Sequence, residues 1–86
     1  MKAYDAVRIA ARNSGTNITS LSLSCGKSQN AISDAAHKGK GPSSATLSGY
    51  LERCGYALAA VPEDDLPESA LVINGKDEDG AESKRS

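Results

Sequence analysis

The sequence predicts a mainly α fold of four to five short helices, followed by a short C-terminal β element. Apolar residues recur at helical spacing in four segments, and residues that favour turns separate these segments. Two short apolar runs follow, and the prolines that bracket their connection favour strands over another helix. Because the chain has 86 residues and neither Phe nor Trp, we expect one small domain with a thin core.

The first two helices are bounded by polar residues and glycine. The first covers Ala3 to Asn13, and Gly15 can close it in the left-handed conformation. Asn17 or Thr19 then caps a short second helix. The residues expected on the apolar face of the first helix are Ala3, Tyr4, Val7, Ala10 and Ala11, and the second helix carries Ile18, Leu21 and Leu23.

The third and fourth helices each follow a serine. Ser28 is expected to cap a helix from Gln29 to about His37, which ends at the run Gly39 to Pro42. Ser43 or Ser44 then caps a fourth helix that ends at Gly55. The expected inner residues are Ala31, Ile32, Ala35 and Ala36 in the third helix, and Leu47, Tyr50, Leu51 and Cys54 in the fourth.

The C-terminal part is predicted to contain strands 56–61 and 70–73, paired as a hairpin or with the same strands of a second copy. A small chain poor in large apolar residues gains stability from dimerisation, so we expect a homodimer. The predicted organisation is a helical domain over 1–61, a β element over 56–74 that supports dimerisation, and a disordered acidic and polar tail over 75–86. The fourth helix is the alternative dimer interface.

Charge and composition exclude several classes of protein. Residues 1–61 carry seven Lys/Arg against three acids, a balance of +4, whereas residues 62–86 carry eight acids against three bases, a balance of −5. A basic body suits a polyanionic partner. No apolar stretch suits a membrane span and no segment resembles a secretion signal, so we expect a cytoplasmic protein with no membrane partner. Cys25 and Cys54 are expected to be reduced.

No enzyme site, cofactor or metal site is expected. His37 is the one histidine, and it lies near Cys25 and Asp34 in a chain too small to form a sheltered catalytic pocket. His37 with two cysteines far apart in sequence also lacks the ligand spacing of a zinc site. We therefore expect His37 to lie at a helix end, near backbone carbonyls or a phosphate.

The segment 17–38 has the pattern of two short helices joined by a tight glycine turn. Gly26 permits the turn, and Leu21 and Ile32 supply one core residue from each helix. Together with the later Pro42-Ser43 and Thr46-Leu47, this pattern resembles the helix-turn-helix of the lambda repressor and Cro family of transcriptional regulators. The matching stretches are LSLSCGKSQNAIS and PSSATLSGYLERCGYAL. Small prophage members of the family often continue with a similar Cys-Gly-Tyr and Val-Pro run, seen here at 54–56 and 61–62.

The chain differs from the family at three positions of this motif. Ile18 stands where the family commonly has Gln, Ser22 where it has Ala, and Ala36 where it has Glu.

The resemblance implies that the helix over 28–38 reads duplex DNA in the major groove. Gln29 and Asn30 match positions that touch bases, and a carboxamide can pair with adenine through two hydrogen bonds. One turn later, Ser33 and Asp34 are further candidates for base contacts. The candidates for phosphate contacts are Lys27, Ser28, Lys38, Lys40 and Ser43, with Ser44 as an alternative to Ser43.

The predicted function is sequence-specific binding of double-stranded DNA, as a repressor of a phage, prophage or other mobile element. The alternative is an antitoxin-like or other protein-binding module that uses residues 62–86 to bind a protein partner. A third possibility is a helix-turn-helix relic that no longer binds DNA, as Ile18 and the modest charge would allow.

Overall fold

The structure is a computed structural model that describes residues 1–39 and 41–74. The predicted mainly α class is confirmed. The described residues form four α-helices and one short 3₁₀ helix: α1 Ala3–Asn13, α2 Ile18–Ser24, α3 Ala31–His37, α4 Ser44–Arg53 and η1 Glu63–Asp65. Lys40 and the predicted tail 75–86 lie outside the described residues.

Two of the predicted helix caps are confirmed. Asn17 Oδ1 accepts a hydrogen bond from the backbone N–H of Ser20 at 2.8 Å, at the start of α2. Ser43 Oγ accepts from the backbone N–H of Thr46 at 3.2 Å, at the start of α4. Each cap satisfies a backbone donor that has no partner inside its own helix, so the two starts are encoded locally.

The core lies where α1 packs against α2 and α4, and where α2 packs against α3. It is small because alanines supply much of it. The buried residues of the main cluster are Ala3, Val7, Ala10, Ala11, Leu21, Ile32, Leu47, Tyr50, Leu51 and Cys54. Leu23 of the second helix does not join them, because its side chain is 55% exposed. Cys54 and the half-buried Cys25 are both free thiols.

The start of the third helix was predicted two residues too early. The helix begins at Ala31 after an Asn30 N-cap that makes no side-chain cap hydrogen bond, and Ser28 does not cap it. The backbone before it closes a turn, in which Ala31 N donates to the Ser28 carbonyl at 3.1 Å. The helix start has a partner from outside the segment, because Ile32 N donates to Ser22 Oγ of α2 at 3.3 Å.

Ser22 therefore links α2 to α3. Its side chain is 0% exposed, and its hydroxyl donates to the Ile18 carbonyl at 2.9 Å while accepting from Ile32 N. The described residues contain no buried side-chain polar atom without a partner, which agrees with this pairing. A serine here does for α3 what a local N-cap does for α2 and α4.

Replacing Ser22 with Ala is expected to destabilise the domain by about 1–2 kcal/mol, because a buried amide donor loses its acceptor. Chemical denaturation followed by circular dichroism measures the change. Ser20→Ala is the matched control, because Ser20 is exposed on the same helix and alanine is the better helix former. Equal stability of the two variants would contradict the tertiary cap.

Gly49 and Gly26 provide a second test of the backbone geometry. A Cβ at Gly49, inside α4, meets nothing within 4 Å, so Gly49→Ala is expected to stabilise by about 0.5–1 kcal/mol. A Cβ at Gly26 also meets nothing, but the residue has φ +76°, so Gly26→Ala is expected to destabilise by about 1 kcal/mol. Thermal denaturation of both variants measures the opposite signs. Destabilisation at both positions would contradict the open space at Gly49.

The predicted segments 56–61 and 70–73 are not strands in the described residues, so the structure does not support the predicted hairpin. Pro62 and Pro67 bracket a connection that contains η1 rather than a tight turn, and a lone hairpin is marginal without further support. The second run lies beside the chain start instead. Met1 N donates to the Val72 carbonyl at 2.9 Å, and Asn74 N donates to the Met1 carbonyl at 3.0 Å.

Leu71 and Ile73 of this run pack against the core.

Among the described residues, no helix combines the length and the apolar character needed to cross a bilayer.

Candidate nucleic-acid interface

The turn between α2 and α3 is built around a left-handed glycine. Gly26 has φ +76°, a conformation that side chains with a Cβ disfavour. The turn is closed by hydrogen bonds from Gly26 N to the Leu23 carbonyl at 3.0 Å and from Lys27 N to the Ser22 carbonyl at 3.0 Å. These bonds satisfy carbonyls at the end of α2 and direct the chain toward α3.

The side chains predicted to touch bases divide into two groups. Gln29 and Asn30 lie in the turn that precedes α3, Asp34 lies on its first turn, and all three are exposed. The opposite side of the helix is anchored by Ile32, which is 1% exposed. Ser33 is half-buried and lines a separate recess beside α1. The exposed part of the predicted reading surface therefore consists of Gln29, Asn30 and Asp34, which we call the reading face.

The exposed carboxamides of the reading face have their hydrogen-bonding groups free for a partner. Neither Gln29 nor Asn30 makes a side-chain hydrogen bond to another described residue, and Asn30 does not cap α3. A free primary amide offers one acceptor and two donor hydrogens. That set matches the N6 and N7 edge of adenine in the major groove.

The residues predicted to contact phosphates lie around the two ends of α3. Lys27 and Ser28 are exposed before its start, and Lys38 is exposed at its C-cap. Ser43 is exposed too, but its hydroxyl already serves α4, since Oγ donates to Thr46 Oγ1 at 3.0 Å and accepts from Thr46 N. Ser43 is thus less free to donate to a phosphate than the other three.

The recess that Ser33 lines has a volume of about 270 Å³ and lies between α1 and α3. Lys2 and Arg8 of the α1 side and His37 at the end of α3 line it together with Ser33, and Asp5 contributes a carboxylate. His37 is exposed at the end of a helix, as predicted. Within residues 1–39 and 41–74, no group of three His, Cys, Asp or Glu side chains is arranged to hold a metal ion.

Sequence reasoning missed two features of this surface. Ser22 was noted only as a departure from the family's alanine, yet it bonds the first turn of α3. Arg53 and Thr46 were assigned no role, although they share a recess with Lys27. The available signal for Ser22 was a lone hydroxyl on the inner side of a short helix, between Leu21 and the glycine turn. Nothing in the spacing of residues predicts that Arg53 and Lys27 line the same recess.

Ile18 stands where the family that the motif resembles commonly has glutamine. In the structure its side chain packs against the core. Its side chain is half-buried against the main core cluster, and its carbonyl accepts the Ser22 hydroxyl. The isoleucine side chain has no hydrogen-bonding group, so it makes no hydrogen bond to a phosphate.

No family model, no curated protein and no solved structure matches this chain. The resemblance to the lambda repressor and Cro family therefore stays a prediction from the motif residues.

Proposed function

We propose that this protein is a sequence-specific DNA-binding transcriptional regulator, a repressor of a phage or other mobile element, that reads the major groove with the reading face. One observation carries the proposal: a left-handed glycine turn joins two short helices and leaves Gln29, Asn30 and Asp34 exposed. Ile32, two residues from Asn30 and from Asp34 and buried on the other side, fixes α3 to the core. This combination of a rigid support and free polar side chains is what base reading requires.

The chemistry of the reading face favours a defined preference. Gln29 and Asn30 suit adenine, and the Asp34 carboxylate suits the N4 amino group of cytosine, which is a hydrogen-bond donor. Because Asp34 would repel nearby phosphates, it favours a position over the base edges rather than over the backbone. Lys27 and Lys38 at the two ends of α3 supply the attraction to phosphates.

A homodimer is part of this proposal. Two copies related by a two-fold axis would place their α3 helices on half-sites separated by about 34 Å, one turn of DNA. The segment 57–61 supports self-association, because it is exposed, carries no charge and makes no backbone hydrogen bond to the described residues. A segment whose backbone groups are unpaired can pair with the same segment of a second copy.

Fluorescence anisotropy tests the proposal directly. The purified protein is titrated onto labelled duplex DNA from upstream of its own gene, with unlabelled random duplex as competitor, at two salt concentrations. We expect binding that survives the competitor and weakens steeply with salt, because phosphate contacts release counterions. Equal and weak binding to both duplexes would contradict a role in reading sequence.

A second candidate function has its own observation. The part of the chain that follows α4 exposes large apolar side chains, namely Leu58, Val61, Leu66 and Val72. An antitoxin-like module could use residues 62–86 to bind a protein partner. Since Leu71 and Ile73 pack on the core, substitution is a better test than truncation. Leu66→Ser with Val72→Ser, which leaves the segment 57–61 intact and is expected to spare DNA affinity, would abolish co-purification of such a partner.

A further inference from the structure

A recess outside the reading face gathers basic and hydroxyl groups. It lies between the α2–α3 turn and α4 and has a volume of about 330 Å³. Lys27 and Cys25 line it from the turn, and Thr46, Tyr50 and Arg53 line it from α4. We call it the turn–α4 recess. Two cations and no carboxylate line it, in contrast to the recess beside α1, which contains Asp5.

The position of Lys27 in this recess is supported by an aromatic ring. Its Nζ lies 5.8 Å from the centre of the Tyr50 ring. Tyr50 is 4% exposed and belongs to the core, so packing holds its ring in place. A cation at this distance from a ring is attracted to the negative face of the π system. This attraction holds the ammonium group over the recess without neutralising its charge.

The other donors come from α4. Arg53, in the last turn of α4, is exposed and has no ion-pair partner among the described residues. Thr46 Oγ1 accepts from Ser43 Oγ, so the hydroxyl hydrogen of Thr46 is left to donate to another group. The guanidinium, the ammonium and the hydroxyl are all hydrogen-bond donors, and two carry positive charge.

We propose that the turn–α4 recess binds a phosphate group, and that its occupant is a backbone phosphate of bound duplex DNA. Phosphate is the ligand whose several anionic oxygens satisfy donors that converge from different elements, with arginine making the directional contact and lysine the point charge. The assignment to DNA rests on the proposed function. It follows from position, since Lys27 precedes the Gln29 and Asn30 of the reading face by two and three residues.

This proposal adds Arg53 and Thr46 to the residues that bind the DNA backbone. A phosphate at the turn–α4 recess would fix the register of α3 on the duplex without reading its sequence.

Cys25 provides a test that does not depend on affinity alone. It lines the turn–α4 recess and is half-buried, whereas Cys54 is buried in the core and serves as an internal control. The rate of Cys25 alkylation by iodoacetamide is measured by mass spectrometry in the full chain, alone, with duplex that binds in the anisotropy assay, and with inorganic phosphate. We expect the duplex to slow Cys25 alkylation at least tenfold and phosphate at an equal concentration of phosphate groups to have little effect.

Arg53→Gln is the variant that tests the site, and Arg8→Gln is its matched control. Arg8 is an exposed arginine on α1 that lines the other recess, so both variants remove one charge. Arg53→Gln is expected to lose most of the Cys25 protection and to lower the salt slope of DNA binding by about one. Arg8→Gln is expected to retain the protection.

The outcomes separate this proposal from the proposed function. DNA binding by anisotropy with no protection of Cys25, or equal protection in the two variants, would overturn the phosphate site and leave the regulator proposal intact. Protection by inorganic phosphate in a protein that does not bind DNA would overturn the assignment to the DNA backbone, and the proposed function with it.

Discussion

Replacing Ile32 with Ala is expected to destabilise the domain by about 2–4 kcal/mol, the range for removing a fully buried branched side chain. Ile32 is 1% exposed and is the one residue of α3 that is fully buried in the core. For a domain of this size, such a loss lowers the melting temperature by at least about 10 °C. Thermal and urea denaturation followed by circular dichroism measure the change.

Leu23→Ala is the matched control for this prediction. Leu23 has the same number of side-chain carbons as Ile32, but its side chain is 55% exposed on α2. Its removal is expected to change stability by less than about 0.5 kcal/mol. A similar loss in both variants would contradict the placement of α3 against the core, because the structure buries Ile32 and exposes Leu23.

Replacing Gln29 and Asn30 with Ala is expected to abolish the preference for the upstream duplex while non-specific binding remains. Each carboxamide that makes a bidentate contact with a base contributes about 1–3 kcal/mol of discrimination. The double variant should therefore lose at least about thirtyfold in specific affinity. Both side chains are exposed and neither caps α3, so the free energy of unfolding is expected to be unchanged. Anisotropy with the upstream and the random duplex measures the specific and the non-specific affinity.

Lys38→Ala provides the contrast in the same assay. Lys38 is exposed at the C-cap of α3 and is assigned to a phosphate, so its loss should weaken binding to both duplexes about equally. If the Gln29 and Asn30 variant also weakened both duplexes equally, the assignment of base contacts to these residues would be wrong. If Lys38→Ala alone altered sequence preference, the phosphate assignment would be wrong.

Most of the helical part was predictable because its signals are local. Asn17 and Ser43 cap helices through bonds to residues three positions later, and Gly15 and Gly26 close turns within their own neighbourhood. The spacing of Val7, Ala10 and Ala11 likewise reports a face that is buried. Signals of this kind are read within one or two turns of chain, where propensity and hydrogen bonding act together.

The features that were missed depend on partners distant in sequence. The start of α3 is bonded by Ser22, ten residues earlier, so the local cap signal at Ser28 misplaced it. The second apolar run pairs with Met1 rather than with the first run, and no residue pattern specifies that choice. The turn–α4 recess brings Lys27 and Arg53 together across two elements. Such juxtapositions follow from packing and are not encoded in spacing.

The pairing of Met1 with residues 72–74 also bears on how the domain opens. Its two hydrogen bonds join Met1 to residues 71 or more positions later, so closing this loop costs more chain entropy than closing a contact between helices adjacent in sequence. The Met1–Val72 hydrogen bond and Asn74 are exposed, and exposed backbone hydrogen bonds have low local opening energies. We therefore expect the amide hydrogen of Asn74 to exchange with solvent when this segment detaches locally. The amide hydrogen of Ile32 is expected to exchange only when α2 and α3 separate.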